Sequence, residues 1–256
     1  MQKPKFSFSQ INLHKRCPKA YYFQYVKKIP QKFSIYAYFG SVIHNTLQKF
    51  FEGKKEKFES PMLFGDFFDE EKEFSDDSLE NLLKIFSEKF NWENFGDEAE
   101  NFYERGKKIL ENFYQNENIG DGVLPFFIEK RFQIDFGDFV INGRFDRVDK
   151  IGENKFEIID YKTGKLRNEN DVKNDLQLGL YCIAMKNLGF EPKKAYLYFL
   201  DHGEKFYFEI NDENLKKSKN ETKQFFENLK KEKFGALPEE NKCKYCSFKK
   251  YCEFKK

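Results

Sequence analysis

No run of residues approaches the roughly 18 consecutive apolar positions that a membrane-spanning helix needs, so a helical membrane protein is excluded and no membrane partner is expected. A strong charge of one sign is missing too. Lys and Arg number 45 against 43 Asp and Glu, a net charge of +2, so bulk electrostatics names no partner. A nucleic-acid binder would have to segregate its charge onto one face. The first residues, Met1 to Lys5, lead into a polar, charged segment with no apolar core of a signal peptide, so a cytoplasmic, reducing compartment is expected. Five cysteines in such a compartment do not suggest a disulfide framework. Arginine is scarce: only Arg16, Arg105, Arg131, Arg144, Arg147 and Arg167. Histidine (three), tryptophan (one) and proline (seven) are few as well. The rare residue types are therefore better guides to function than the many lysines.

What is abundant is aromatic. Mean hydropathy is only −0.80, but 33 Phe and 14 Tyr can fill a core, which argues against wholesale disorder. The 256 residues suit one domain carrying an insertion.

Ser7-Phe8-Ser9-Gln10 fits a capping box, with a short helix ending near Cys17-Pro18. A second short helix is expected over 19–26. Residues 40–51 read as an amphipathic helix through Ile43, Leu47, Phe50 and Phe51. Residues 54–118 are acidic and aromatic with a helical period, Leu79, Leu82, Leu83 and Phe86 forming one face, and read as a helical insertion. From 124 the period changes to that of strands. Three are expected, over 124–136, 139–151 and 155–165, joined as an antiparallel meander at Gly137-Asp138 and Gly152-Glu153-Asn154. A helix over 175–188, strands over 194–200 and 205–210, and a polar helix over 211–231 follow. A tail from Pro238 carries three cysteines.

Chemistry concentrates between 142 and 165. Alternation along a strand puts Phe156, Ile158, Asp160 and Lys162 on one face, and Asp146 on the preceding strand can share it. Two carboxylates beside one lysine suit a hard divalent cation, although either strand taken alone reads first as an ordinary surface, Asp160 and Lys162 an exposed ion pair and Asp146 a turn residue. His44 borders the buried stripe of its helix, as a core residue or as a ligand. Gln177 and Tyr181 lie four residues apart on one helix face.

Taken in order, Gly40-x-x-x-His44, Gly143-x-x-Asp146-x-x-Asp149, Asp160-Tyr161-Lys162-Thr163-Gly164 and Gln177-x-x-x-Tyr181 resemble the motifs of the PD-(D/E)XK nuclease superfamily, in its RecB-like branch. The resemblance runs from residue 7 to 252 apart from the insertion. It implies an α/β (mixed α+β) fold with a restriction-endonuclease-like αβββαβ core, built as a single nuclease domain over 1–256. It also implies Mg²⁺ or Mn²⁺ held by His44, Asp146, Asp160 and the backbone carbonyl of Tyr161. Lys162 would be the catalytic lysine, and Gln177 and Tyr181 would position the strand and the site. Asp160 stands where many members carry Glu. Glu129 is a candidate accessory acid.

Cys243-x2-Cys246-x5-Cys252 and the distant Cys17 form a candidate four-thiolate site, and zinc and iron–sulfur clusters both accept such a set. Cys182 lies in an apolar helix and reads as core. The spacing resembles the iron–sulfur staple of AddB-type helicase–nuclease subunits and of the RecB-like CRISPR adaptation nuclease. That implies a [4Fe–4S] cluster, with zinc as the less favoured occupant, tying the 238–256 tail to the 7–26 segment. The implied function is metal-dependent hydrolysis of phosphodiester bonds, as an exonuclease, on single-stranded DNA or frayed ends, in CRISPR adaptation or in recombination and repair. The implied partners are DNA and either a helicase or a CRISPR integrase. The chain has no G-x-x-x-x-G-K-[ST] loop. The competing class is a non-catalytic iron–sulfur module that binds DNA or acts as a scaffold.

Overall fold

The structure is a computed structural model that describes residues 2–59, 77–117, 119 and 124–254. Part of the 54–118 stretch expected to be helical therefore lies outside the described residues.

Along the chain, β1 (Lys5–Ser7) leads into α1 (Phe8–Arg16) and α2 (Pro18–Tyr21), which runs on as a π-helical turn to Val26. Gln10 Oε1 accepts the Ser7 backbone N–H at 2.8 Å at the start of α1, one half of the expected capping box. The long helix α3 (Ile35–Glu59) is followed by α4 (Leu79–Lys89) and α5 (Ala99–Asn116). Five strands come next: β2 (Phe127–Ile128), β3 (Arg131–Asp135), β4 (Val140–Arg144), β5 (Arg147–Gly152) and β6 (Lys155–Lys162). The chain then runs through α6 (Glu169–Val172), α7 (Leu176–Asn187), β7 (Glu191–Phe199), β8 (Glu204–Tyr207), α8 (Asp212–Lys230) and α9 (Glu240–Lys244).

The strands form two sheets, ordered β1-β4-β3 and β2-β5-β6-β7-β8. This corrects the expected three-strand meander. Its two hairpins exist, with Gly137 at φ 90° and Asn154 at φ 49° in their turns. The first two expected strands, however, are each broken, at Glu129-Lys130 and at Phe145-Asp146. The breaks face one another: Glu129 N–H donates to Asp146 O at 3.1 Å, and Phe145 N–H to Lys130 O at 3.0 Å. Glu129 sits in the left-handed region at φ 48°, and the pair of strands leaves one sheet there and enters the other. Phe145 stays fully buried through the bend, so the apolar alternation gives no sign of it.

The central strands of the larger sheet are buried on both faces. Phe156 and Ile158 of β6, with Ala195, Leu197 and Phe199 of β7, pack against α7 and α8. Ile159 and Tyr161, with Tyr196 and Tyr198, pack against α3, α4 and α5. Strands β6 and β7 run parallel, with α7 as the crossover between them. Leu82 and Phe86 of the expected insertion face are buried in the second cluster, and Leu79 and Leu83 are half-buried against it.

Helices α7 and α8 approach closely at Gly179. A Cβ there would lie 2.0 Å from Ser218 Oγ. Gly179→Ala is expected to destabilise by about 1–3 kcal/mol, the usual scale of overpacking. In a chain this size that lowers the melting temperature by roughly 2–4 °C per kcal/mol. Adding Ser218→Gly should restore most of the loss in a thermal melt, whereas an unchanged Gly179→Ala melt would show that the contact relaxes freely.

Candidate active site

Three elements carry the site. Strand β6 presents Asp160 and Lys162 on the face toward α7. The bend before β5 delivers Asp146. Helix α3 passes the end of β6, so that His44 meets Tyr161, and one turn earlier a Cβ on Gly40 would lie 3.0 Å from Thr163 Oγ1.

Asp160 is only 1% exposed. Its Oδ1 accepts from Gln177 Nε2 at 2.7 Å and from Tyr181 OH at 3.2 Å, and its Oδ2 pairs with Lys162 Nζ at 2.6 Å. Lys162 Nζ also donates to Gln177 Oε1 at 3.0 Å. Gln177 Nε2 donates to the Tyr181 hydroxyl at 2.9 Å, and the single proton of that hydroxyl is shared between Asp160 Oδ1 and the nearer Arg144 O, 2.7 Å away. Asp175, the N-cap of α7, accepts the backbone N–H of Gln177 at 2.8 Å and fixes where that helix begins. All four expected residues of this half, Asp160, Lys162, Gln177 and Tyr181, thus form one hydrogen-bonded set. Burial pushes the Asp160 carboxyl above its ordinary range, against the pull of Lys162. For Lys162, burial acts downward, but Asp160 outweighs it and the ammonium is held above its usual value.

The other half is His44, Glu129 and Asp146, whose ligand atoms lie within 4.8 Å of one another. Asp146 Oδ2 accepts the Tyr161 N–H at 2.9 Å and stands 3.5 Å from His44 Nδ1. His44 Nε2 lies 3.1 Å from the Tyr161 carbonyl. The His44 ring thus stands between the Tyr161 carbonyl and the Asp146 carboxylate, and a neutral imidazole there offers one lone pair to a cation. Glu129 is ion-paired with Arg144. Burial and then Asp146 push its pKa up to about 7, with Arg144 and His44 opposing. Three carboxylates, Glu129, Asp146 and Asp160, therefore converge on two cations, Lys162 and Arg144. The oxygen-rich donor set and the surplus negative charge fit a hard divalent metal. The tight trio brings in Glu129, an accessory candidate by motif, while the Asp160 carboxylate faces Lys162, Gln177 and Tyr181.

Asp149, the last acid of its motif, lies elsewhere. It sits on the opposite face of β5 in a two-point pair with Arg147, at 2.8 Å from Nε and 2.5 Å from Nη2. That guanidinium stacks 4.8 Å from the centre of the Phe51 ring and lies 3.4 Å from the Tyr161 hydroxyl. The set braces the strand from behind. The sequence motif contains Arg147 and Asp149, but only the sheet's two-sided burial assigns them to the rear. Gly143 is explained by packing: a Cβ there would lie 2.1 Å from the Phe132 ring.

Past the C-terminal end of α1, Cys17, Cys243, Cys246 and Cys252 line one cavity, walled by Ala20, Phe23 and Phe248. None of the five cysteines forms a disulfide. Cys17 is in extended backbone between α1 and α2. Cys246 N–H donates to Cys243 O at 3.2 Å, which folds the C-x2-C pair into a turn. Lys19 and Lys249 also border the cavity. Four thiols with cations beside them fit a thiolate-bound metal centre. Cys182 is apart, fully buried in the main core.

The sequence profile of the PD-(D/E)XK nuclease superfamily matches residues 5–253. The chain belongs to this superfamily. Named proteins are also similar to it. An ATP-dependent helicase/deoxyribonuclease subunit of Clostridium perfringens strain SM101 is 30% identical over 212 residues, which is 72% of this chain and 18% of that protein. The chain thus spans about a fifth of the length of such relatives. The Gene 69 protein of Mycobacterium phage D29 is 25% identical over 97% of this chain and 96% of its own. The crystal structure of SSO0001 aligns over 99% of this chain and 87% of its own, at 11% identity and a TM-score of 0.44. PD-(D/E)XK nucleases use divalent metals, in keeping with the His44, Glu129 and Asp146 trio. Among the described residues no helix is long and apolar enough to cross a membrane.

Proposed function

We propose that this chain is a divalent-metal-dependent deoxyribonuclease acting from the ends of single-stranded or frayed DNA. The observation that carries this reading is the meeting of His44 and Asp146 with the Asp160–Lys162 pair in one groove of about 820 Å³, with Glu129 beside the first two. His44, Asp146, Asp160 and the Tyr161 carbonyl would hold Mg²⁺ or Mn²⁺, with Glu129 beside them. The cation, when bound, supplies Lewis acidity toward a phosphate oxygen and lowers the pKa of water. Lys162 is kept protonated by Asp160 and has one remaining N–H to offer to negative charge developing on the phosphate. Gln177 bridges Lys162 and Asp160 and holds both in register. Tyr181 fixes Gln177 and, through the Arg144 carbonyl, the bend that delivers Asp146.

The preference for unpaired strands is supported by exposed rings on the approach to α3, where Phe33 is 66% and Tyr36 65% exposed. Such faces stack bases without regard to sequence. A helicase is the partner we favour over a CRISPR integrase, because the Clostridium relative is named as a helicase/deoxyribonuclease subunit. The same name favours recombination and repair as the setting. The four cysteines at the far cavity would hold a [4Fe–4S] cluster that fixes both ends of the chain against the core.

The test uses end-labelled single-stranded, frayed and blunt duplex oligonucleotides with Mg²⁺, Mn²⁺ or EDTA. Cleavage should need the cation and proceed fastest on the single strand, releasing short products from an end. Metal-independent cleavage would overturn the reading, and faster cutting of the blunt duplex would overturn the substrate.

His44→Ala separates a ligand from a core filler. Its side chain is about a quarter exposed, so loss of a ligand should weaken Mn²⁺ binding by calorimetry with little change in melting temperature. A fall of several degrees, as roughly expected of a core cavity, with activity per folded molecule retained, would make His44 structural.

A further inference from the structure

The small β1-β4-β3 sheet has one buried face and one open one. Phe6, Ile141, Phe132 and Ile134 turn into the core. The open face carries Ser7 of β1, Asn142 and Arg144 of β4, and Gln133 and Arg131 of β3. Register aligns Ser7 with Asn142 and Gln133, and sets Arg144 directly opposite Arg131. The face's one carboxylate, Asp135, is at the far end and is held by Lys3 at 2.6 Å.

A solvated face on an antiparallel sheet is ordinary. Two guanidinium groups placed opposite one another are not, because like charges in that position repel. Arg144 is compensated by Glu129. The Arg131 side chain makes no ion pair or hydrogen bond among the described residues. In a chain where only six of 45 cationic residues are arginine, two of the six form this pair. Arginine, unlike lysine, offers a planar fork that grips a phosphate at two points. Both arginines line the same groove as Asp146, Asp160 and Lys162. The sheet's outer strand, β1, comes from the first 51 residues, which hold nine Lys and Arg and no Asp or Glu. The face is thus continuous with the candidate catalytic groove and complementary in charge to a polyanion.

We propose that the open face of this sheet carries the sugar–phosphate backbone of the DNA strand flanking the cleavage site, with Arg131 and Arg144 gripping one phosphate between them. A phosphate in that position removes the repulsion between the two guanidiniums. Gln133, Asn142 and Ser7 continue the track as uncharged hydrogen-bonding groups. The proposal rests on the nuclease reading above and deepens it to a defined strand path.

The test measures binding of a fluorescent single-stranded oligonucleotide to the intact chain in EDTA, so that its result does not depend on turnover. Each phosphate contact on a single strand contributes a slope of about −0.7 to log affinity against log salt, read over roughly 50 to 200 mM. Arg131→Ala, which breaks no contact within the protein, should weaken binding several-fold and make the slope shallower by about 0.7. Arg131→Lys should recover the slope but only part of the affinity. Lys223→Ala, on the outer side of α8, should change neither. An unchanged slope for Arg131→Ala, with wild-type binding intact, overturns the strand path while leaving the nuclease assignment standing. A change seen only with blunt duplex also overturns it. A wild-type chain that binds as expected but never cleaves would instead sink the nuclease reading.

Discussion

Asp160→Asn is expected to lower metal-dependent cleavage of single-stranded DNA by roughly 10³-fold or more, while the melting temperature stays within a few degrees of wild type. The size follows from the loss of several kcal/mol of transition-state stabilisation when a metal-binding carboxylate is removed. The substitution keeps the shape and an oxygen able to accept from Gln177 and Tyr181, which lie 2.7 and 3.2 Å away. It removes the charge that the metal and Lys162 share, and with it the acceptor that holds the Lys162 ammonium. Gel assays on labelled oligonucleotide, with the variant purified away from host nucleases, decide the matter. Cleavage at the wild-type rate would remove Asp160 from the site, and the Lys162 assignment would fall with it.

Cys17→Ala is expected to have the largest effect on the integrity of the molecule. Anaerobically purified wild type should be brown, absorbing near about 400 nm with roughly four irons per chain. The variant should be colourless. A cross-link between residues 17 and 252 closes nearly the whole chain. By loop-closure entropy its loss costs on the order of 5 kcal/mol, or about 10–20 °C in melting temperature. Limited proteolysis should then cut near both ends before it cuts β6 or α7. Cys182→Ala should remain brown, since that thiol is fully buried among core side chains away from the cavity. A colourless wild type with one zinc would keep the site and change its metal. A brown Cys17→Ala protein would refute the long-range tie.

Much of this arrangement is legible in the sequence, for identifiable reasons. The period-2 pattern over Phe156, Ile158 and Asp160 places the carboxylate and Lys162 on one face, because a strand between two layers leaves its alternation in the sequence. The α7 pair of Gln177 and Tyr181 is equally readable from helical spacing. The change of sheet at Glu129 and Phe145 is not. It is made by a left-handed backbone at a residue that is not glycine, and by backbone hydrogen bonds that cross the bend uninterrupted. Strand β1 leaves no signal because three residues, one of them Lys5, carry no period. Glu129 is a weak candidate for the same reason as the bend: its place beside His44 and Asp146 depends on a turn that local sequence does not announce. Arg147 and Asp149 read as part of the acidic motif, and only burial beneath Phe51 moves them behind the sheet.

The cavity shared by Cys17 and Cys252 has a consequence for biosynthesis. A ribosome adding about 5–20 residues per second needs roughly 10–50 s to travel from the first of these cysteines to the last. For that interval the nascent chain holds a lone thiol between α1 and α2 with no cavity to protect it. Strand β1 likewise waits for β4, its parallel partner, to be made. If the four thiols hold a metal, it can be loaded only after residues 44–181 have been synthesised. A chain left unloaded would then have its candidate site residues in place while Cys17 and the C-x2-C turn stayed untied. Loading would then follow assembly of the groove, and the unloaded fraction would be the one open to cellular proteases.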